Sequence, residues 1–364
     1  MSFKTKLAKA ACGSAVKLAT QKISMATGLT LSRPTGVFVA ITNRCNLRCK
    51  QCDVPFLAGR TKELSTEQWK HILARLNEWL GTAVLRWSGG EPFLRSDMLE
   101  LIKYSSNLGM LNSVITNGQL IDKELAEQIV DAETFNVSLS IDGMQKGHDF
   151  VRGDGTFEKV ADAARFLKHV RREKKSDMRI IVKTTIMETN LDELPELVEW
   201  VRRHGLNGIS ISPLMENLAT DSPDAKWFEK SPLWVKDLQK LDRVVDWLIQ
   251  NAGPKSPILN PKAYLAGIKE YFRDPTVPKP PDFTCHVGHD HFRIDPNGDV
   301  YLCPLITSAL VGNVAQNSPE MVWKSPEARK SRNEILTCRK NCLVACQYER
   351  SFAENFDFFL KLFE

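Results

Sequence analysis

A chain of 364 residues with 43% apolar and 26% charged side chains can bury a large core but exceeds the usual single-core size, so a barrel with an appendage or two domains is expected. It has no apolar run of roughly 18 residues, which argues against a membrane-spanning helix, and no signal-peptide core, which points to a reducing, cytoplasmic setting for its nine cysteines. The net charge of +5 gathers in the first 35 residues and leaves the body near neutral, which argues against a nucleic-acid surface.

Residues 1–35 hold Lys4, Lys6, Lys9, Lys17, Lys22 and Arg33, and the first acid of the chain is Asp53. Phe3, Leu7, Ala11 and Leu18 share one helical side, interrupted by Gly13. Two readings follow: a solvated helix packed loosely on the domain, or one resting on an anionic membrane or a partner. From Gly36 short apolar strands alternate with helical segments, the pattern of repeated βα units on a parallel sheet. Strands are predicted at 36–41 (GVFVAI), 83–88, 112–116, 135–140, 179–186 (RIIVKTTI) and 208–212. The first helix opens on the capping box Ser65–Gln68, followed by Trp69, Ile72, Leu73, Leu76 and Leu80 at helical spacing. Six strands fall two short of the closed eight-unit barrel, so an open, partial barrel is expected.

Just after the first strand stand Cys45, Cys49 and Cys52 as CxxxCxxC. Three thiolates on one short loop can hold three corners of a 4Fe-4S cluster and leave one iron open to a ligand. A structural zinc would want a fourth local Cys or His, and the nearest histidine, His71, is on the first helix. After the second strand comes SGGEP (88–92), where Gly89 and Gly90 allow close backbone approach and Glu91 offers a carboxylate to an ammonium. TNG (116–118) and SIDG (140–143) follow the third and fourth strands.

Residues 215–283 are helical and punctuated by prolines, ending in the stiff segment DPTVPKPPDF. Beyond it HFRIDPNGDVYLCP reads as a hairpin turning at Asn297-Gly298. The segment 284–364 holds five of the nine cysteines: Cys285, Cys303, Cys338, Cys342 and Cys346. Cys12 stands apart as an idle or buried thiol.

CxxxCxxC after a first strand and SGGEP after a second resemble the radical S-adenosylmethionine (SAM) superfamily. The resemblance implies an α/β fold, a partial (β/α)6 barrel over 36–214, with a small C-terminal α+β cluster-binding module over 284–364. Residues 1–35 then form a basic helical extension, and 215–283 a helical insertion and linker. It also implies that Cys45, Cys49 and Cys52 bind the cluster and that Gly89, Gly90 and Glu91 bind SAM, with Asn117, Ser140 and Asp142 lining the cofactor. Arg152, in HDFVRG, and Lys183 on the fifth strand are candidate groups facing cofactor or substrate. Two departures stand out: Gln51 replaces an aromatic residue usual before the third cysteine, and the fifth strand lacks the family's GxIxGxxE.

Cys285, Gly298 and Cys303, followed by Cys338, Cys342 and Cys346, resemble the auxiliary-cluster modules SPASM and its shorter relative, twitch. Five cysteines suffice for one 4Fe-4S cluster with one to spare, which fits twitch; Cys342 and Cys346 best match the closing pair, and Cys338 is an alternative ligand. A zinc knuckle could use the same residues. The implied activity is reductive cleavage of SAM to a 5'-deoxyadenosyl radical that abstracts a substrate hydrogen, fed by a low-potential donor such as flavodoxin or ferredoxin. Because only about 35 residues precede the first strand, the expected substrate is a small molecule, sugar-like or lipid-linked, oxidised with help from the auxiliary cluster. The alternative is a maturase modifying a ribosomal peptide or protein. The stiff linker is expected to hold the auxiliary module over the barrel mouth.

Overall fold

The first six apolar runs pair one with the next through crossover helices, and with three further strands they form, among the described residues of the computed structural model, one nine-stranded sheet. The structure describes residues 19–216, 226–305 and 310–343; Phe3, Leu7, Ala11, Leu18, Cys12 and Cys346 lie outside these. A helix over 19–27, α1, leads through a loop to β1 (Gly36–Thr42). Then come α2 (Thr66–Leu80), β2 (Val84–Gly89), α3 (Met98–Asn107), β3 (Leu111–Thr116), α4 (Lys123–Asp131) and β4 (Asn136–Ser140). The barrel continues with α5 (Gln145–Arg152), α6 (Thr156–Glu173), β5 (Arg179–Ile186), α7 (Leu194–Arg203) and β6 (Gly208–Pro213). All six strands stand in sequence order and parallel, each within one residue of its expected bounds, and the sheet does not close: a partial (β/α)6 barrel.

The capping box forms as expected, with Gln68 N–H on Ser65 Oγ and Ser65 N–H on Gln68 Oε1. Alternate strand residues serve two faces. Leu85, Trp87, Val114, Val137, Leu139, Ile180 and Val182 pack outward against the helices, which leaves Ser88, Ser113, Ser138, Ser140, Ile181, Lys183, Ser210 and Ser212 on the concave side. The free edge of β6 is covered by residues 257–259, through Ile209 N–H to Pro257 O and Leu259 N–H to Ile209 O. The helical segment after the barrel gives α8 (Trp227–Lys230), α9 (Leu238–Asn251) and α10 (Lys262–Arg273), with α9 and α10 packed on each other beside α7 and β6.

The C-terminal hairpin, β7 (His291–Ile294) and β8 (Asp299–Tyr301), does not stand over the barrel mouth. β7 pairs in parallel with β1, His291 opposite Gly36, and so extends the barrel sheet at its first-strand edge. Phe292 and Ile294 are apolar on the outward face and complete the core that Val37, Val39, Leu85 and Trp79 begin, which is why the strand docks there. The turn is wider than an Asn-Gly pair: Gly298 N–H bonds Asp295 O and Asp295 N–H bonds Asp299 O, with Pro296 in between and Gly298 at φ +90°. An unforeseen β9 (Leu310–Asn313) follows, then α11 (Pro319–Lys324) and α12 (Pro326–Thr337). The core therefore runs without a break across residue 284.

Candidate active site

The cysteine loop leaves the C-terminal end of β1 and is clamped by the motif that follows β2. Gly90 N–H bonds Thr42 O and Glu91 N–H bonds Arg44 O, both at 2.8 Å. A Cβ on Gly89, at φ +114°, would fall 2.2 Å from Thr42 O, and one on Gly90 2.1 Å from Arg44 O. The close approach anticipated for a ligand at these glycines is thus made to the cysteine loop itself. On that loop Cys45 Sγ accepts from Leu47 N–H at 3.4 Å and faces Asn117 Nδ2 at 3.8 Å, while Arg152 Nη1 lies 3.9 Å from Cys49 Sγ. Burial pushes all three thiols up, Cys49 to about 11; Arg152 opposes the rise, and the neighbouring Cys52 and Cys45 add to it.

That donor set fits an iron–sulfur cluster. Three thiolates crowded enough to repel one another call for a cationic partner. Among the described residues no three Cys, His, Asp or Glu side chains converge on a single-ion site. In a cubane each of three such thiolates binds a different iron, and one iron stays open to a further ligand.

Glu91 is fully buried and ties the end of β2 to the end of β3. Its carboxylate accepts from Thr116 Oγ1 and Asn117 N–H, each at 2.8 Å, and from Phe93 N–H at 3.2 Å. Burial raises its pKa to about 6, with these bonds pulling the other way. A carboxylate has about four acceptor positions, and three of those of Glu91 are taken within the protein. Asn117 Nδ2 bonds Asn46 Oδ1 at 2.8 Å, which brings it onto the cysteine loop.

Asp142, also fully buried, is a junction. Its Oδ2 accepts from Gln51 Nε2 and from Arg152 Nε, and its Oδ1 from Thr185 N–H, all at 2.8 Å. Gln51, noted in the sequence only as a departure from the family, is therefore the tether between the cysteine loop and β4; the missing aromatic was its one signal. Sequence reasoning also missed His148 and Glu193. His148 Nδ1 accepts from Asp142 N–H, and burial together with the Arg152 charge lowers its pKa to about 4. Glu193 holds the start of α5 through Met144 and Gly147 N–H. Ser140 and Lys183 sit side by side in register on β4 and β5, with Ser210 next on β6; Lys183 is exposed on this concave wall. The structure thus brings Arg152 to the cysteines and places Lys183 on a different wall.

At the far edge of the sheet, Cys285 and Cys303 are buried on either side of the β7–β8 hairpin. Burial raises the Cys285 pKa to about 11, and the charges of Cys303 and Cys338 add to the rise. Cys342 is buried with its charge bearing on Tyr271. The charge of Cys338, the alternative ligand, bears on Cys285, and Cys346 of the expected closing pair lies outside the described residues.

The family model of the radical SAM superfamily matches residues 39–201, and that of an iron–sulfur cluster-binding domain, SPASM, matches residues 285–347. The chain is 32% identical to the PqqA peptide cyclase of Bradyrhizobium diazoefficiens over 48% of its own length and 44% of the cyclase, so the match spans under half of that relative. It is 26% identical to the AdoMet-dependent heme synthase of Methanosarcina barkeri, covering 85% of this chain and 87% of that one. It is 28% identical to the mycofactocin maturase MftC of Mycolicibacterium smegmatis over 86% and 79% of the two chains. In structure it resembles Streptococcus suis SuiB bound to the precursor peptide SuiA, with a TM-score of 0.62 at 16% identity over 90% of this chain and 70% of that one, a likeness of fold. The strand-end motifs, the open barrel and both matches agree that residues 39–201 are a radical SAM domain, which implies a 4Fe-4S cluster and SAM, and that residues 285–347 are an auxiliary iron–sulfur domain of the SPASM type.

Proposed function

We propose that the protein is a radical SAM maturase that modifies a peptide. The observation that carries this reading is the similarity to two peptide-modifying relatives, the PqqA peptide cyclase across the catalytic half and the mycofactocin maturase across most of the chain. When bound at the first cysteine loop, the cluster and SAM supply a 5'-deoxyadenosyl radical that takes a hydrogen atom from the substrate. The chain's own residues set the stage. Asn117 and Arg152 flank Cys45 and Cys49, and one acceptor position on Glu91 suits the SAM ammonium. Ser140, Lys183, Ser210 and Ser212 make a polar concave wall, and an unclosed sheet admits an extended chain. The C-terminal cysteines, Cys285 and Cys303 among them, would hold the auxiliary cluster, with a flavodoxin or ferredoxin feeding the first cluster.

The small-molecule reading stands second, favoured by one observation, the match to the heme synthase over 85% of this chain. To separate them, reconstituted protein is incubated anaerobically with SAM, a reductant and, in parallel, any short peptide encoded beside the gene or an iron porphyrin. Loss of hydrogen from the peptide by mass spectrometry is expected. Porphyrin turnover with the peptide untouched would overturn the maturase reading.

A further inference from the structure

The segment that joins α1 to β1 is fastened at many points and yet presents its apolar side chains outward. Ser24 Oγ accepts from Leu31 N–H at 3.1 Å and Ser32 N–H at 2.8 Å, and Gly28 N–H bonds Ser24 O at 2.9 Å. Trp323 Nε1, fully buried on α11, donates to Ser32 O at 2.8 Å, and Arg33 Nη1 donates to Trp79 O at 2.7 Å. A loop held this way has a fixed outer surface. That surface shows Leu29 at 57% exposure and Leu31 at 53%.

Beside these leucines lies a pocket of about 340 Å³ lined by Thr27, Gly28, Leu29, Thr30, Lys324 and Arg329. Ile23, 49% exposed, is one helical turn before Thr27, whose hydroxyl bonds Ile23 O; Met321, 62% exposed, is one turn before Lys324 on α11. The pocket therefore carries Lys324 and Arg329 with Leu29 in its wall, and Ile23, Leu31 and Met321 are exposed on the adjoining segments of chain. Glu320 pairs with Lys324 at 2.7 Å, and Glu327 lies on the first turn of α12. No other acid competes from the N-terminal side, since none precedes Asp53 in the sequence. Scattered exposed leucines need no explanation, but a pinned apolar rim around two cations does.

We propose that this pocket and its rim dock on an anionic phospholipid surface, with a lipid phosphate between Lys324 and Arg329 and the side chains of Ile23, Leu29, Leu31 and Met321 at the acyl boundary. The two halves of the site match the two parts of a lipid: charge for the headgroup, apolar area for the interface. The occupant is a surface and not a spanning partner, since among the described residues no helix is long and apolar enough to cross a membrane.

The test uses the full chain with its clusters reconstituted, pelleted with vesicles of phosphatidylcholine alone or with one third phosphatidylglycerol. Binding to the anionic vesicles only, released at about 0.5 M salt, is expected. Leu29→Ser with Leu31→Ser, and separately Lys324→Gln with Arg329→Gln, should each lower the vesicle partition by roughly tenfold or more. Thermal unfolding of both variants should stay that of the wild type, since these side chains are on the surface. The proposal is overturned by no binding to anionic vesicles, or by variants that bind as the wild type does, which would move the contact elsewhere on the chain. A wild-type dimer that the leucine variant dissociates in sedimentation velocity, with no vesicle binding, would assign the rim to a second copy and overturn it as well.

Discussion

Asp142 receives donors from the cysteine loop, from α5 and from β5, and its partner Arg152 reaches Cys49. Both members of the pair are nearly shut off from solvent, so losing one strands the other as an unpaired charge. Asp142→Asn should therefore cost about 3 kcal/mol in chemical unfolding and lower the iron retained at the first site. Adding Arg152→Gln should recover part of the loss, which an independent pair would not do. A second residue, His291, stacks on Phe38 with ring centroids 3.9 Å apart, and burial, then the charges of Arg86 and Arg293, lower its pKa to about 3. In the unfolded chain the same histidine takes a proton near pH 6.5. Between those values the unfolded state holds the extra proton, so stability is whole above about 6.5 and falls as pH drops. Between about pH 7.5 and 4.5 the wild type should lose about 2 kcal/mol more than His291→Phe in urea unfolding. At this scale the cysteines and SGGEP were legible because spacing alone carries their chemistry. The Gln51–Asp142 tether was not: its ends are 91 residues apart and neither is unusual by itself.

Among elements, β7 decides how the two cysteine groups are related. Its apolar face joins Trp79, Phe292 and Trp323, whose rings lie 5.9 to 6.0 Å apart, into one core with β1 and β2. Calorimetry should therefore show the C-terminal segment melting with the first barrel units in one transition. Trp323→Ala should cost roughly 3–5 kcal/mol and lower that whole transition; a separate early melt of the cluster domain would refute the shared core. The six barrel strands could be read from their apolar runs and the capping box from Ser65 and Gln68. What could not be read was the partner of the hairpin. Alternation reveals that a strand has a buried face, but not which distant edge receives it. The stiff linker misled in the same way, since a proline-rich segment fixes a distance and says little about direction.

For the whole molecule, two separate cysteine groups predict about eight iron atoms per chain after anaerobic reconstitution. Replacing Cys45, Cys49 and Cys52 together by alanine should halve that iron and abolish SAM cleavage, whereas Cys303→Ala should lower iron and leave SAM cleavage in place. Stoichiometric zinc alongside a single cluster's iron would contradict the auxiliary site.

The pairing of β1 with β7 also bears on how the protein is made. The Thr35 hydroxyl bonds the Asp290 carboxylate 255 residues away, and the Gly36–Ile294 ladder follows directly from that contact. While the chain is being synthesised, β1 thus waits with one edge unpaired until most of the protein has emerged. An unpaired apolar edge is the feature that draws other chains into non-native sheets. Ribosome-bound chains stalled before residue 284 should accordingly be cut by protease near β1 where full-length chains resist, and should need chaperone protection to stay soluble. The expected order of assembly is then pairing of β1 with β7 first and iron afterwards, because the first cysteine loop hangs from a strand whose second edge is filled late.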